Sequence, residues 1–417
     1  MDDLGEPFEL RVLLREGALE GPIVGVHELF EPLSKPLVEG PCHQTRFAFA
    51  EPEVEHSGEF CDGRGYVQSM SYAELPVIDI GAPSGEASGS CWSGPSAAAP
   101  EIRALRARIA SELRVACEQE GFFYVRNHGV SETLQLELES HARAFFARPT
   151  EEKLAIAMAH GGRAWRGYFP VGGELTSSVP DAKEGIYFGA ELDSDDPRVR
   201  AGVPLHGANL FPASPGFREV VLDYLAAMTD LGRTLMGGIA ESLGLDADAF
   251  GEHFLREPLT LFRIFNYPAA PLPAAGWGVG EHTDYGLLTI LKQSDEAGLE
   301  VKTRRGWIDA PPLPGTFLCN IGDMLERMTF GRYRSTPHRV RNVSGRARLS
   351  LPFFFDPSFD AEIHPLLPPP QSPVVADGAD AAARWDGASV FTFRGTYGDY
   401  LLQKVSRVFP DLARGTL

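Results

Sequence analysis

The sequence predicts a mainly β protein with flanking helices, its strands closing as a sandwich or barrel, and three observations support this. Short apolar runs follow one another closely from LTLFRIFNYP to LSLPFFFDP, separated by turn signals. Helical spacing is confined to the segments before and after that series. Strands alternating with long helices throughout, the mark of a parallel α/β sheet, are missing, and no internal repeat is apparent.

Residues 1–74 hold six prolines and scattered apolar clusters without sustained periodicity, so they read as an extension, either a small extra element or a loosely ordered one. LPVIDI (75–80) reads as a strand, and the small-residue stretch GAPSGEASGSCWSGPSAAAP as a flexible loop. Ile102, Leu105, Ile109, Leu113 and Ala116 share one helical face; Gly121 ends that helix and FFYVRN alternates as a strand. Ser131 and Thr150 stand where N-caps would, the second followed by Glu151 and Glu152 at the favourable end of the helix dipole. Gly161 to Pro215 is rich in Gly, Pro and aromatics and reads as ordered loop with short strands. A helix follows over 216–243, then the strand series, then an amphipathic helix in TYGDYLLQKVSRVF. The expected divisions are an acidic extension (1–74), a helical and strand region (75–250), a β catalytic core (251–357) and a closing strand and helix (358–417).

The 417 residues include 38 Lys+Arg and 57 Asp+Glu, a net charge of −19, which argues against a nucleic-acid binder. No apolar run is long enough for a membrane helix. The acidic N-terminus is unlike a secretory or organellar leader, and five widely spaced cysteines without C-x-x-C fit free thiols, so the expected compartment is cytoplasmic. The charge is uneven. Residues 1–75 carry 5 basic and 15 acidic side chains, whereas 258–357 carry 12 basic and 9 acidic, and 326–348 hold seven arginines against one acid. An anionic ligand would be drawn to that basic region.

In EHTDYGLLTIL, His282 and Asp284 are two apart in a β-type segment, so both side chains project from one face. A lone pair of this kind is more often structural than metal-binding. His338, in RSTPHRVRN at the start of another strand, is the best third ligand. Two histidines and one carboxylate on one face of an octahedron leave three positions open, as in non-haem Fe(II) oxygenases: two for a bidentate cosubstrate and one for O2. Ten residues beyond His338, Arg348 and Ser350 are again two apart, on a strand that a turn folds back. A fixed guanidinium with a hydroxyl suits a terminal carboxylate, so a dicarboxylate such as 2-oxoglutarate could reach from metal to Arg348. A zinc hydrolase could use the same three ligands but leaves Arg348 and Ser350 without a role. A non-catalytic acid binder would be expected to have lost a ligand. His128 reads as a turn residue, His141 as packing, and Asp323 as fixing a turn or pairing with an arginine. GRAWRGYFPVGGE reads as a pocket wall for an organic substrate, with Arg166, Tyr168 and Phe169 as contacts.

H-x-D, a distant H and then R-x-S resemble the 2-oxoglutarate/Fe(II)-dependent dioxygenase superfamily, in its isopenicillin N synthase-like branch, which includes plant hormone and flavonoid oxygenases. The resemblance covers about residues 75–410 through seven separated segments, among them LPVIDI, GFFYVRNHGV, FNYP and HTDYGLLTIL; residues 1–74 lie outside it. It implies a double-stranded β-helix, a cupin-like jelly roll with helices packed outside. It implies His282, Asp284 and His338 as iron ligands, Arg348 with Ser350 on the distal carboxylate of 2-oxoglutarate, and Tyr267 as a further donor to it. The implied reaction consumes O2, releases succinate and CO2, and hydroxylates a small organic metabolite, or desaturates or cyclises it. Related plant enzymes usually have Asn two residues before that tyrosine; here it is Phe265, with Asn266 adjacent. Some oxidases of this branch take no 2-oxoglutarate and use the same arginine and serine for their own substrate's carboxylate.

Overall fold

The computed structural model describes residues 75–81, 99–176, 179–269, 276–368, 381, 384 and 387–409; the expectations for 1–74 and for the small-residue stretch 82–98 lie outside these. In chain order the strands are β1 (Val77–Asp79), β2 (Phe122–Arg126), β3 (Gly167–Phe169), β4 (Leu175–Thr176), β5 (Val179–Pro180), β6 (Glu184–Gly189) and β7 (Pro258–Tyr267). They continue with β8 (Val279–His282), β9 (Leu288–Gln293), β10 (Leu299–Thr303), β11 (Gly306–Asp309), β12 (Thr316–Ile321), β13 (His338–Val340) and β14 (Arg348–Ser358). One sheet runs β1-β2-β12-β9-β14-β7-β6-β3, a second β11-β10-β13-β8, and β4 pairs with β5. All pairings are antiparallel except β1 with β2. The two larger sheets face each other across a cavity lined from both, a jelly roll with helices outside.

The central strands are apolar almost throughout because both of their faces are covered. On β14, Ser350, Pro352, Phe354 and Asp356 line the cavity, while Leu349, Leu351, Phe353 and Phe355 turn to the outer core. There the helix Phe217–Ser242 approaches so closely that a side chain on Gly232 would strike the Phe355 ring. The same alternation on β7 sends Arg263, Phe265 and Tyr267 inward and packs Phe262 on Tyr224 of that helix, ring centroids 5.1 Å apart. A one-residue slip would exchange the two faces, so the register with β9 and β14 is strongly specified.

The helix Pro100–Gln119 ends at Gly121, whose φ of +66° suits glycine and whose Cβ, if present, would meet the Arg334 carbonyl. Ser131 caps Glu132–Phe146 by accepting from the Leu134 amide at 3.3 Å. Thr150 is not a cap. Pro149 occupies that position and Thr150 is the first helical residue, in a single turn that tightens into a 3-10 segment at Leu154–Ile156. The closing helix Tyr397–Val408 begins with a full capping box between Thr396 and Asp399, and it lays Leu401, Val405 and Val408 against the cavity. Among the described residues no helix is long and apolar enough to cross a membrane.

Candidate active site

β8 and β13 are neighbours in the smaller sheet with His282 directly opposite His338, which sets the two imidazole centroids 4.2 Å apart. Asp284 follows two residues after β8 ends, and its Oδ1 lies 3.9 Å from His282 Nε2 and 3.8 Å from His338 Nε2. One ligand atom from each residue lies within 4.8 Å of the others. The Nδ1 atoms lie 2.8 Å from the Gly280 carbonyl and 3.2 Å from the Thr336 carbonyl. A carbonyl only accepts, so each Nδ1 carries the proton and donates, leaving both Nε2 lone pairs turned toward Asp284. Burial, and then the neighbouring His282, pushes the His338 imidazole down to about 4, which keeps it in the neutral, ligating form.

Asp284 is held by strands of the larger sheet. Its Oδ2 accepts from Thr289 Oγ1 on β9 at 2.6 Å and from Asn320 Nδ2 on β12 at 2.7 Å, two residues that face each other in the β9–β12 register. Burial works to raise the carboxyl, but His338, His282 and these two hydrogen bonds outweigh it and hold the group below its usual value. With one oxygen committed, the other is aimed at the imidazoles. Two nitrogens and one charged oxygen converging from one side fit a divalent iron with open positions. Gly286 is obligatory here, because a side chain would run into the Asp356 carboxylate. Sequence reasoning missed Thr289 and Asn320; the available signal was a polar residue in an otherwise apolar strand, TIL and LCNI.

Arg348 lies opposite Tyr267 in the β14–β7 register, its guanidinium 5.1 Å from the ring centroid, and its side chain is fully buried. Nε donates to the Glu296 carbonyl at 3.0 Å and Nη2 to Gln293 Oε1 at 3.3 Å, whereas buried Nη1 has no partner among the described residues. A buried cation so placed is expensive unless an anion completes it. Ser350 and Tyr267 line the cavity beside it. The distal carboxylate of 2-oxoglutarate fits this cradle.

The structure therefore brings His282, Asp284, His338, Ser350 and Tyr267 onto one cavity, with Arg348 behind its wall. Arg166, Tyr168 and Phe169 are a correction, since none lines that cavity. Arg166 is buried with Nη2 donating to the Leu205 carbonyl at 2.8 Å. Tyr168 donates to Glu184 Oε2 at 2.6 Å, the oxygen that also takes Lys153 at 2.6 Å. Phe169 packs behind the wall, on Tyr187, Phe265 and Phe409. Glu174 of the same segment does line the cavity. Phe265 faces the cavity while Asn266 points the other way, donating to Glu184 Oε1 at 2.9 Å. Asp323 accepts from Ser335 at 2.8 Å and Tyr400 at 2.8 Å and pairs with Arg384, a structural anchor. His128 accepts from the Val130 amide at 3.1 Å, and the His141 ring lies 5.7 Å from that of Phe217.

Asn320→Ala is expected to weaken Fe(II) affinity about 10- to 100-fold in an anaerobic titration, the usual cost of losing a group that orients a ligand. Unaltered affinity would show that Thr289 alone orients Asp284.

Residues 75–214 match the family model described as non-haem dioxygenase in morphine synthesis N-terminal, and residues 258–357 match the 2OG-Fe(II) oxygenase superfamily. A Dictyostelium discoideum protein named as an iron/ascorbate oxidoreductase is 43% identical over 377 residues, 84% of this chain and 99% of that one. The 1-aminocyclopropane-1-carboxylate oxidase of Dictyostelium discoideum is 37% identical over 343 residues, 73% of this chain and 91% of that one. Among solved structures, a full-length Neurospora crassa protein in complex with α-KG and thymine superposes with a TM-score of 0.61 at 26% identity, covering 80% of this chain and 96% of that one.

Proposed function

The chain belongs to the 2OG-Fe(II) oxygenase superfamily and is an Fe(II)- and 2-oxoglutarate-dependent dioxygenase, and from that premise we propose that His282, Asp284 and His338 hold the iron while Arg348, Ser350 and Tyr267 hold 2-oxoglutarate, for hydroxylation of a small organic metabolite. One observation carries this: three ligand atoms converge within 4.8 Å on a cavity, and behind its wall, next to Ser350 and Tyr267, lies the buried Arg348, whose Nη1 has no partner among the described residues. Iron, when bound, supplies the O2 chemistry that couples conversion of 2-oxoglutarate to succinate and CO2 with oxidation of the substrate.

The chain's own residues bind, orient and exclude. Backbone carbonyls at Gly280 and Thr336 fix the two imidazole rings, and Thr289 with Asn320 fixes the carboxylate. Arg348 offers a charged donor, with the Ser350 hydroxyl beside it, to a carboxylate that arrives dehydrated. Phe122, Leu299, Val340 and Leu291 form apolar walls that keep water from a reactive centre. The cavity opens to the surface, and its lining runs from the three converging ligand residues past Ser350 and Tyr267 to the apolar residues of the closing helix. The buried thiols of Cys117 and Cys319 support a reducing, cytosolic site of action.

The purified protein is expected to consume 2-oxoglutarate and release succinate in equal amounts, with strict dependence on Fe(II) and O2. Fe(II)-dependent substrate oxidation without 2-oxoglutarate consumption would overturn the cosubstrate assignment.

A further inference from the structure

We propose that Arg263 anchors a carboxylate on the substrate, and that the substrate is a small monocarboxylic acid with an apolar body of aromatic size. This rests on the reading above, that iron and substrate share one cavity. β7 presents Leu261, Arg263, Phe265 and Tyr267 to the cavity at every second position. Tyr267 stands opposite Arg348. Arg263 is thus four residues, about 13 Å, along the same face from the cosubstrate's anchor, where a second molecule would extend.

Its guanidinium is held by its faces, 3.3 Å from the Tyr187 ring centroid and 5.6 Å from that of Phe354. A stacked guanidinium keeps its N–H edges for a ligand. Nη1 is buried and makes no hydrogen bond among the described residues. A buried donor without a partner calls for an acceptor. The other charged groups of that part of the wall are already committed. Lys183 pairs with Glu174 at 2.8 Å and with Asp181, and Glu174 also accepts from Tyr187 Oη at 2.6 Å. Asp356 accepts from Tyr397 Oη at 2.5 Å; burial raises its carboxyl, while Tyr397 and the nearby Arg263 work to lower it. Glu174 and Asp356 lie within electrostatic reach of Arg263, but among the described residues no carboxylate makes a close ion pair with it and its Nη1 stays without a hydrogen bond. Around it the wall is apolar, formed by Phe265, Phe354, Leu401, Val405, Val408 and Phe409, which suits the body of such an acid and not a second charge.

The test is anaerobic calorimetry on the full chain loaded with Fe(II) and 2-oxoglutarate, using phenylacetate, 3-phenylpropionate and 4-phenylbutyrate against their primary amides. At least one acid is expected to bind on the order of 10- to 100-fold more tightly than its amide, the difference a charge-assisted pair provides. That preference is expected to vanish in Arg263→Gln and to return in part in Arg263→Lys. Equal binding of acids and amides, no binding of any of the six, or a preference that Arg263→Gln retains would overturn the assignment. If Arg263→Gln fails to fold, Arg263→Lys serves in its place, a reduced acid preference supporting the assignment and an unchanged one overturning it, while equal binding of acids and amides by the unaltered protein overturns it without any variant. Failure to bind 2-oxoglutarate with Fe(II) in the first titration is a separate result, and it would overturn the reading of the site on which this one stands.

Discussion

Asp284→Ala is expected to reduce Fe(II)-dependent succinate formation to background. The substitution removes the single oxygen from the three converging ligand atoms. Two imidazoles remain, and they supply neither the negative charge nor the third point that fixes a divalent ion. The loss is not confined to the metal. Thr289 Oγ1 and Asn320 Nδ2, which now donate to Oδ2 at 2.6 and 2.7 Å, would lose their acceptor in a buried site, at about 1–3 kcal/mol for each group left unsatisfied. Lost activity could then reflect local collapse, and Asp284→Asn separates the two causes. An amide oxygen in the same place can still accept from Thr289 and Asn320, so thermal unfolding should stay close to wild type. With that oxygen committed, the atom turned toward the imidazoles is the amide nitrogen, a donor that does not ligate a metal, so iron affinity and succinate formation should fall nearly as far as in the Ala variant. Turnover retained in Asp284→Asn together with wild-type iron affinity would sink the proposed ligand set.

The proposed ligands stand out in the sequence because each motif is local, and the groups that position them do not because their partners are distant. His-x-Asp is legible within three residues. Asn320 meets Asp284 across 36 residues of chain, through a β9–β12 register that no local pattern announces. Arg384 reaches Asp323 and Glu326 in the same way. Strands β7 and β14 are legible as strands because they are apolar, but being covered on both faces they lose the alternation that would show which side chains line the cavity. The GRAWRGYFPVGGE segment shows the same ambiguity from the other side. Aromatic and arginine side chains compose both a pocket wall and the layer packed behind it, and here Arg166, Tyr168 and Phe169 form the layer behind. The amphipathic face of Tyr397–Val408 is equally plain in the sequence, yet nothing there says that Leu401, Val405 and Val408 close a cavity instead of a core.

Arg348→Met is expected to raise the Kd for 2-oxoglutarate at least about 30-fold, since truncating one partner of a buried, hydrogen-bonded charge pair costs roughly 2–5 kcal/mol. Its effect on the protein without cosubstrate should be much smaller. In that state Arg348 is a fully buried cation whose Nη1 has no partner among the described residues, and burial, opposed by Tyr267 and Glu296, already depresses its pKa. Replacing such a charge with an apolar chain of similar length removes a desolvation cost. It also removes the donors to the Glu296 carbonyl and Gln293, so the two contributions oppose each other. Binding and stability should therefore separate. Saturating 2-oxoglutarate, added anaerobically with Fe(II), stabilises the wild type by about 2.7 kcal/mol at a hundredfold excess over Kd, visible as a rise in Tm. Under the same concentrations the variant should show little of that rise, while its own Tm without cosubstrate stays near that of the wild type. A variant that keeps the full 2-oxoglutarate-dependent rise would place the distal carboxylate somewhere other than Arg348. A variant that unfolds at much lower temperature before any ligand is added would make the two hydrogen bonds, not the waiting charge, the reason this arginine is buried.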